Sequence, residues 1–122
     1  MISQETLSEL TVLYVEDDEI TREMACRMLS KFFKTVLPAS NGREGMDIFH
    51  VNLPDIIITD LSMPEMSGFE MIELIRKENK DIPIVVTTAY RSEAESLAEV
   101  NEIVYKPVNR KLLLQAVMDL NL

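Results

Sequence analysis

Residues 55–68 of the chain read DIIITDLSMPEMSG. The stretch opens with a short apolar run, and an aspartate, Asp60, follows that run. Similar apolar runs recur at residues 10–15 (LTVLYV) and 84–88 (IVVTT). Runs that are rich in β-branched residues and lack polar alternation are typical of strands buried on both faces, as in a parallel sheet covered by helices. We therefore interpret the three runs as buried strands of one parallel sheet.

Two weaker strands complete the predicted sheet. Residues 35–37 form a brief run before Pro38, and residues 102–105 form the fifth. Because proline lacks a backbone donor, the strand next to Pro38 is expected at an edge of the sheet.

Helical patterns separate the predicted strands. Capping residues, whose side chains bond the unpaired backbone N–H groups of a first turn, mark where most of these helices begin. The predicted helix starts are Asn41 with Glu44, Ser67 with Glu70, Ser92 with Glu95, and Asn109. The first helix is predicted over residues 20–33, and the helix that starts at Ser92 is expected to end near Val100. Strict alternation of strand and helix predicts a doubly wound α/β sheet with right-handed crossovers.

Apolar residues on the last predicted helix form a stripe that is expected to face the core. The stripe consists of Leu112, Leu113, Ala116, Val117 and Leu120. Leu114 and Met118 lie beside it, and they either form a partner surface or are scattered exposed apolar residues.

The chain has the size and composition of one folded domain. Its 122 residues are 47% hydrophobic and 27% charged, which is the mixture of an ordinary globular protein. We expect the domain over residues 10–122, after a polar N-terminal tail of residues 1–9.

Charge, cysteine content and hydropathy argue against several functions. A formal net charge of -9 would repel nucleic acid on average, so direct binding to nucleic acid is not expected. The single cysteine, Cys26, excludes an internal disulfide, provides no zinc-binding spacing and suits a reducing cytoplasm. No export signal is visible, and no apolar run approaches the roughly 20 residues that span a bilayer. We therefore expect a cytoplasmic protein without membrane insertion.

Acidic residues follow two of the predicted strands. Glu16, Asp17 and Asp18 come directly after the first strand, and Asp60 follows the third. Ligands of such sheets bind at the carboxyl ends of the strands. If the two strands are neighbours, Glu16, Asp17 and Asp60 converge there, and their repulsion requires a cation. An all-oxygen site favours a hard ion, and Mg²⁺ is the natural choice, whereas Asp18 is expected to cap the first helix.

A hydroxyl and an ammonium are predicted at the same end of the sheet. Thr88 ends the fourth strand, and Lys106 follows the fifth. Such groups can hold two oxygens of a phosphoryl group while Mg²⁺ holds a third, which leaves Asp60 as the nucleophile. Taken alone, Thr88 would be an ordinary strand residue and Lys106 a solvated lysine. Only their combination with the carboxylates indicates phosphoryl transfer.

These motifs together resemble the receiver domain of two-component response regulators. The matching residues are Glu16-Asp17, Asp60 with Met63-Pro64 and Gly68, Thr88-Ala89, and Lys106-Pro107. The resemblance spans nearly the whole chain, and its four motifs occur in order, each at the end of a predicted strand. It implies a CheY-like, flavodoxin-like fold with a five-stranded parallel sheet in the order 2-1-3-4-5.

The resemblance also implies a site and its partners. Mg²⁺ would be held by Asp17, Asp60 and the backbone carbonyl of Ser62, and by Glu16 through water. Thr88 and Lys106 would contact the phosphoryl group, and the bond between Lys106 and Pro107 would be cis. The donor would be a histidine kinase or a histidine phosphotransfer protein. A partner or output domain would bind the face of the fourth helix, fifth strand and fifth helix, and a phosphorylation-dependent dimer is compatible with the family.

The chain departs from the family on that same face. Ile103 stands three positions before Lys106, where an aromatic switch residue is usual. The segment from Thr88 to Lys106 is also shorter than is common, so we expect a shortened fourth helix.

Two other functions remain open at this level. A pseudo-receiver would bind partners without being phosphorylated, and the intact Asp17, Asp60, Thr88 and Lys106 argue against it. A haloacid-dehalogenase-like phosphatase would require a second aspartate two residues after the nucleophile, where this chain has Ser62. We therefore predict a phosphorylatable switch rather than an enzyme that turns over a substrate.

Overall fold

The computed structural model describes residues 1–94, 97 and 99–121. Within these residues, strands and helices alternate after a short first helix. The elements are α1 (Gln4–Leu7), β1 (Thr11–Val15), α2 (Glu19–Leu29), β2 (Thr35–Ala39), α3 (Gly42–Asn52), β3 (Ile56–Asp60), α4 (Gly68–Glu78), β4 (Ile84–Thr88), α5 (Arg91–Ala94), β5 (Glu102–Tyr105) and α6 (Arg110–Met118). The helices predicted as first to fifth are therefore α2 to α6.

The strands described form one parallel sheet of five, in the order β2-β1-β3-β4-β5. This confirms the predicted fold class and strand order. β2 lies at an edge and carries Pro38 within it, as the missing backbone donor requires. β1 and β3 are neighbours, and Asp60 at the end of β3 pairs with Thr87 of β4. The carboxyl ends of the central strands therefore lie side by side.

Alternate residues of each strand enter two separate cores, because successive side chains of a strand point to opposite faces. In β1, Val12 and Tyr14 pack with α1, α2 and α6, whereas Leu13 and Val15 pack with α3 and α4. Helices thus cover both faces of the sheet, which explains the apolar runs without polar alternation.

Side-chain caps begin most of the helices. Each cap accepts a hydrogen bond from the backbone N–H three residues later, and the capping residues are Ser3, Asp18, Asn41, Ser67 and Asn109. The structure confirms the predicted caps at Asn41, Ser67 and Asn109, and Asp18 caps α2 as expected. The end of α2 was mispredicted, because the helix ends at Leu29 and Phe33 reaches the core from a following turn.

The N-terminal segment, which we expected to be a tail, packs against the rest of the chain. Ile2 and Leu7 are 5% and 0% exposed and belong to the same core cluster as α2 and α6. The backbone N–H of Ile2 also donates to the carbonyl of Met118 at 2.7 Å. Two apolar side chains among polar neighbours are sufficient to anchor this segment.

The stripe on the last helix was partly mispredicted. Leu112 is 49% exposed, whereas Leu114 and Met118 are partly buried against the core cluster. Leu113 and Val117 are buried as expected. α6 is therefore rotated relative to the orientation that its pattern alone suggests.

The predicted fourth helix is shortened. α5 comprises Arg91–Ala94, and Leu97 is not helical. The predicted capping partner of Ser92, Glu95, lies outside the described residues.

A buried arginine organises the turns around the shortened segment. Arg76 of α4 is 8% exposed and donates to the carbonyls of Glu99 and Ile82 at 2.8 and 2.7 Å. It also donates to the side-chain oxygen of Asn101 at 3.2 Å, which in turn accepts the backbone N–H of Ile84 at 2.8 Å.

In the part of the chain that is described, no helix is long and apolar enough to cross a membrane.

Candidate functional site

Three carboxylates meet where β1 and β3 end. Glu16 and Asp17 follow β1 directly, and Asp60 is the last residue of β3. One carboxylate oxygen from each lies within 4.8 Å of the others. Glu16 and Asp60 are 1% and 7% exposed, whereas Asp17 is exposed to solvent. The predicted convergence of these side chains is confirmed.

Lys106 bridges the two buried carboxylates. It follows β5, and its Nζ atom lies 3.0 Å from Oε1 of Glu16 and 2.9 Å from Oδ2 of Asp60. Its backbone N–H donates to the carbonyl of Thr88 at 2.8 Å, which continues the pairing of β5 with β4. The bond between Lys106 and Pro107 is cis, as predicted. An ammonium group therefore faces the predicted nucleophile directly.

The crowding of negative charge changes the ionisation of the cluster. Burial, and then the neighbouring Asp60, raise the pKa of Glu16 from 4.5 to about 7, against the opposing effect of Lys106. Burial alone would lower the pKa of Lys106, but its bonds to Asp60 and Glu16 raise that pKa above the ordinary value. Lys106 thus stays charged, and the cluster still holds more negative charge than one ammonium neutralises.

These properties fit a hard divalent cation. The cluster of Glu16, Asp17 and Asp60 offers only carboxylate oxygens, which is the donor type that Mg²⁺ prefers. A divalent cation would also stabilise the ionised form of Glu16, whose pKa is raised by burial and then by the neighbouring Asp60. The backbone carbonyl of Ser62 as a further ligand stays a prediction.

The loop that carries Asp60 is held from below by α4. Oδ1 of Asp60 accepts the backbone N–H of Leu61 at 2.8 Å, and the carbonyl of Leu61 accepts the N–H of Gly68, also at 2.8 Å. A Cβ atom at position 68 would clash with the carbonyl oxygen of Asp60 and lie 2.9 Å from Cα of Leu61. Glycine at this position therefore lets the first turn of α4 approach the loop. With Oδ1 of Asp60 bonded to Leu61, the other oxygen, Oδ2, faces Lys106.

Thr88 is buried at the end of β4. It is 1% exposed, and its hydroxyl donates to Oε2 of Glu93 at 2.7 Å. The hydroxyl oxygen of Thr88 also accepts the backbone N–H of Tyr90 at 3.2 Å. Ile103, which stands where an aromatic residue is usual, is partly buried against the core on the side of α3 and α4.

Glu93 was not among the residues predicted from the sequence. This residue of α5 joins two predicted site residues, because its Oε1 accepts the hydroxyl of Ser62 at 3.0 Å while Oε2 accepts that of Thr88. One signal was available. The first turn of a helix that follows a strand lies at the same end of the sheet as the site, so an acidic residue there can reach it.

The chain was compared with family models, curated proteins and solved structures. A family model described as "Response regulator receiver domain" matches residues 12–118. A protein of Leptolyngbya boryana, described as "Uncharacterized 14.6 kDa protein in sodA1 3'region", is 32% identical over 119 residues, which are 93% of this chain and 91% of that protein.

Two further comparisons carry functional descriptions. The "Probable transcriptional regulator ycf27" of Guillardia theta is 33% identical over 106 residues, and the match covers 84% of this chain but only 41% of that regulator. The high-resolution structure of the chemotaxis response regulator CheY4 of Vibrio cholerae superposes with a TM-score of 0.81 at 28% identity, covering 89% of this chain and 96% of that one.

Proposed function

Because the chain belongs to the response regulator receiver domain family of two-component signalling, we propose that it is a switch that accepts a phosphoryl group on Asp60. The donor is a histidine kinase or a histidine phosphotransfer protein in the cytoplasm. One observation carries the proposal: the buried carboxylate of Asp60 has one oxygen held by Leu61 and the other facing the ammonium of Lys106.

The transfer needs no general base. An oxygen of the ionised Asp60 bonds to the phosphorus, and the bond between phosphorus and the donor breaks. When the donor is phosphohistidine, the leaving group is the imidazole of histidine, which takes up a proton from water. When the donor is acetyl phosphate, the leaving group is acetate. Catalysis of such a step consists mainly of in-line positioning and charge neutralisation.

The neighbouring residues supply that positioning. Lys106 lies 2.9 Å from Oδ2 of Asp60, so it can bind an oxygen of the transferred group and neutralise part of its charge. The hydroxyl of Thr88 would donate to a second oxygen. Mg²⁺, when held by Glu16, Asp17, Asp60 and the carbonyl of Ser62, would neutralise a third.

The signal would leave through the face formed by α5, β5 and α6. Thr88 and Lys106 lie at the ends of β4 and β5, so both would respond to a phosphoryl group on Asp60. A partner protein or an output domain that binds this face would then read the change. The alternative is a pseudo-receiver that binds its partner regardless of phosphorylation.

Intact-mass measurement with acetyl phosphate and Mg²⁺ tests the proposal. We expect wild type to gain one phosphoryl group only when Mg²⁺ is present. Hydroxylamine should attack the acyl carbon and release the group as inorganic phosphate, which identifies an acyl phosphate. Asp60→Asn should gain nothing. Asp47→Asn removes the same charge from an exposed position on α3 and should behave as wild type.

The other outcomes are equally informative. Wild type that neither gains mass nor releases phosphate would refute the proposal and favour the pseudo-receiver. Continuous release of phosphate without accumulation would indicate a phosphatase instead.

A further inference from the structure

Glu93 ties α5 to both sides of the predicted phosphorylation site. Its carboxylate accepts the hydroxyl of Ser62, two residues after Asp60, and the hydroxyl of Thr88 at the end of β4. We call these two hydrogen bonds the Glu93 bridge. Both are charge-assisted, because the acceptor is a carboxylate, and such bonds are stronger than those between neutral groups.

The bridge occupies the group that the phosphoryl oxygen would need. A threonine hydroxyl has a single hydrogen to donate. In this structure that hydrogen is donated to Glu93 at 2.7 Å. Thr88 therefore cannot bind Glu93 and a phosphoryl oxygen at the same time.

Burial and a backbone hydrogen bond hold the Thr88 hydroxyl in place. Thr88 is 1% exposed, and its oxygen also accepts the backbone N–H of Tyr90 at 3.2 Å. A second contact of α5 runs to β5, where the guanidinium of Arg91 lies 4.5 Å from the centre of the Tyr105 ring. Loss of the Glu93 bridge would remove the hydrogen bond between α5 and Ser62 and leave the contact between Arg91 and Tyr105 in place.

We propose that Glu93 is a positioning residue for phosphoryl transfer. It holds the Thr88 hydroxyl away from Asp60 until the phosphoryl group on Asp60 replaces Glu93 as the acceptor of the hydroxyl hydrogen. This inference rests on the proposed function, because the competing acceptor is the phosphoryl group on Asp60. Transfer of the Thr88 hydrogen bond from Glu93 to that group breaks the bridge and frees the first turn of α5. Because Ile103 has no ring or hydroxyl that could couple to Thr88, the change at the Thr88 hydroxyl passes to α5 through Glu93.

The kinetic test uses acetyl phosphate, Mg²⁺ and the full chain. Glu93→Gln keeps the size of the side chain and replaces charge-assisted bonds by neutral ones. Phosphorylation should become about fivefold faster, which corresponds to the usual difference between the two kinds of bond. Glu73→Gln makes the same charge change on an exposed face of α4 and should leave the rate unchanged.

A second background separates positioning from a general effect of charge. Thr88→Val removes the hydroxyl, and it should slow phosphorylation on its own account. In that background Glu93→Gln should have no further effect, because the competition no longer exists. Acceleration that persists without the Thr88 hydroxyl, or no acceleration in the single variant, would overturn the inference.

Hydrogen exchange tests the bridge without any phosphoryl donor. In the unphosphorylated protein, Glu93→Gln and Ser62→Ala should each speed exchange in a peptide of residues 88–94, relative to Glu73→Gln. Unchanged exchange in both variants would refute the bridge even if Asp60 is phosphorylated normally. Faster exchange in a protein that acetyl phosphate never modifies would support the bridge as a contact and refute its role in phosphoryl transfer, together with the proposed function.

Discussion

A methyl group at position 68 should damage both the stability of the protein and the placement of Asp60. Gly68 begins α4 directly beneath the loop after β3. Its missing side chain faces the carbonyl oxygen of Asp60 and Cα of Leu61, which are backbone atoms of the predicted nucleophile and of the residue after it. Because no flexible side chain lies there, the clash in Gly68→Ala must be relieved by moving the backbone.

The magnitude follows from opposing contributions. Alanine is favoured over glycine in a helix interior by about 1 kcal/mol, and less of that applies at the first position of α4. Overpacking costs typically about 1–3 kcal/mol, and a weakened bond between the Gly68 N–H and the Leu61 carbonyl costs about 1 kcal/mol more. We expect Gly68→Ala to lower the free energy of unfolding by about 2 kcal/mol. A displacement of Asp60 by about 1 Å would slow phosphorylation roughly 100-fold.

Urea titration of the metal-free protein and a phosphorylation time course measure the two effects. Gly45→Ala is the matched control, because a Cβ atom there meets side-chain atoms, Sδ of Met71 at 2.8 Å and Cγ2 of Val15 at 3.2 Å. These side chains can shift, so the control should lose less than about 1 kcal/mol and keep its phosphorylation rate. The predicted clash at position 68 is contradicted if Gly68→Ala matches wild type in both assays, or if both variants are equally impaired.

Two further predictions concern buried charge. Arg76→Met should lower the free energy of unfolding by about 3 kcal/mol, because the buried carbonyl of Ile82 and the part-buried bond to the carbonyl of Glu99 lose a charged donor. Arg27→Met on the exposed face of α2 should change the free energy of unfolding by less than about 0.5 kcal/mol. Equal effects in urea titrations would contradict this. The pKa of Glu16 is raised in the folded state from 4.5 to about 7, so the folded state binds this proton more tightly than the unfolded chain. The resulting stability is complete below about pH 4.5 and is lost as the pH rises through about 7. Metal-free wild type should therefore lose more stability than Glu16→Gln between pH 5 and pH 8, and parallel curves would contradict the assignment.

Much of the architecture was predictable because it is encoded locally. Apolar runs such as residues 56–58 are buried on both faces of β3, and burial on both faces required helices on each side of the sheet. Caps such as Asn41 and Ser67 act within one turn of their own helix, so their position along the chain was enough to identify them.

Predictions failed where the outcome depended on a distant partner. Residues 1–9 looked like a tail, yet Leu7 is fully buried by packing against elements that lie far away in sequence. Leu112 fits the apolar stripe of α6 but is 49% exposed, since the rotation of a helix is set by the surface it packs on. Glu93 was passed over because its contact with Ser62 joins residues that are 31 positions apart in the chain.

The order of strands and helices, and the arrival of the acidic, hydroxyl and ammonium groups at one end of the sheet, could be predicted from local sequence patterns. Periodicity and caps encode that information within a few residues, and the ends of parallel strands must coincide. Only the tertiary structure decided that Lys106 lies 2.9 Å from Asp60 and that Glu93 holds the Thr88 hydroxyl. Such contacts join residues from separate strands and helices, so their geometry depends on how the whole chain packs.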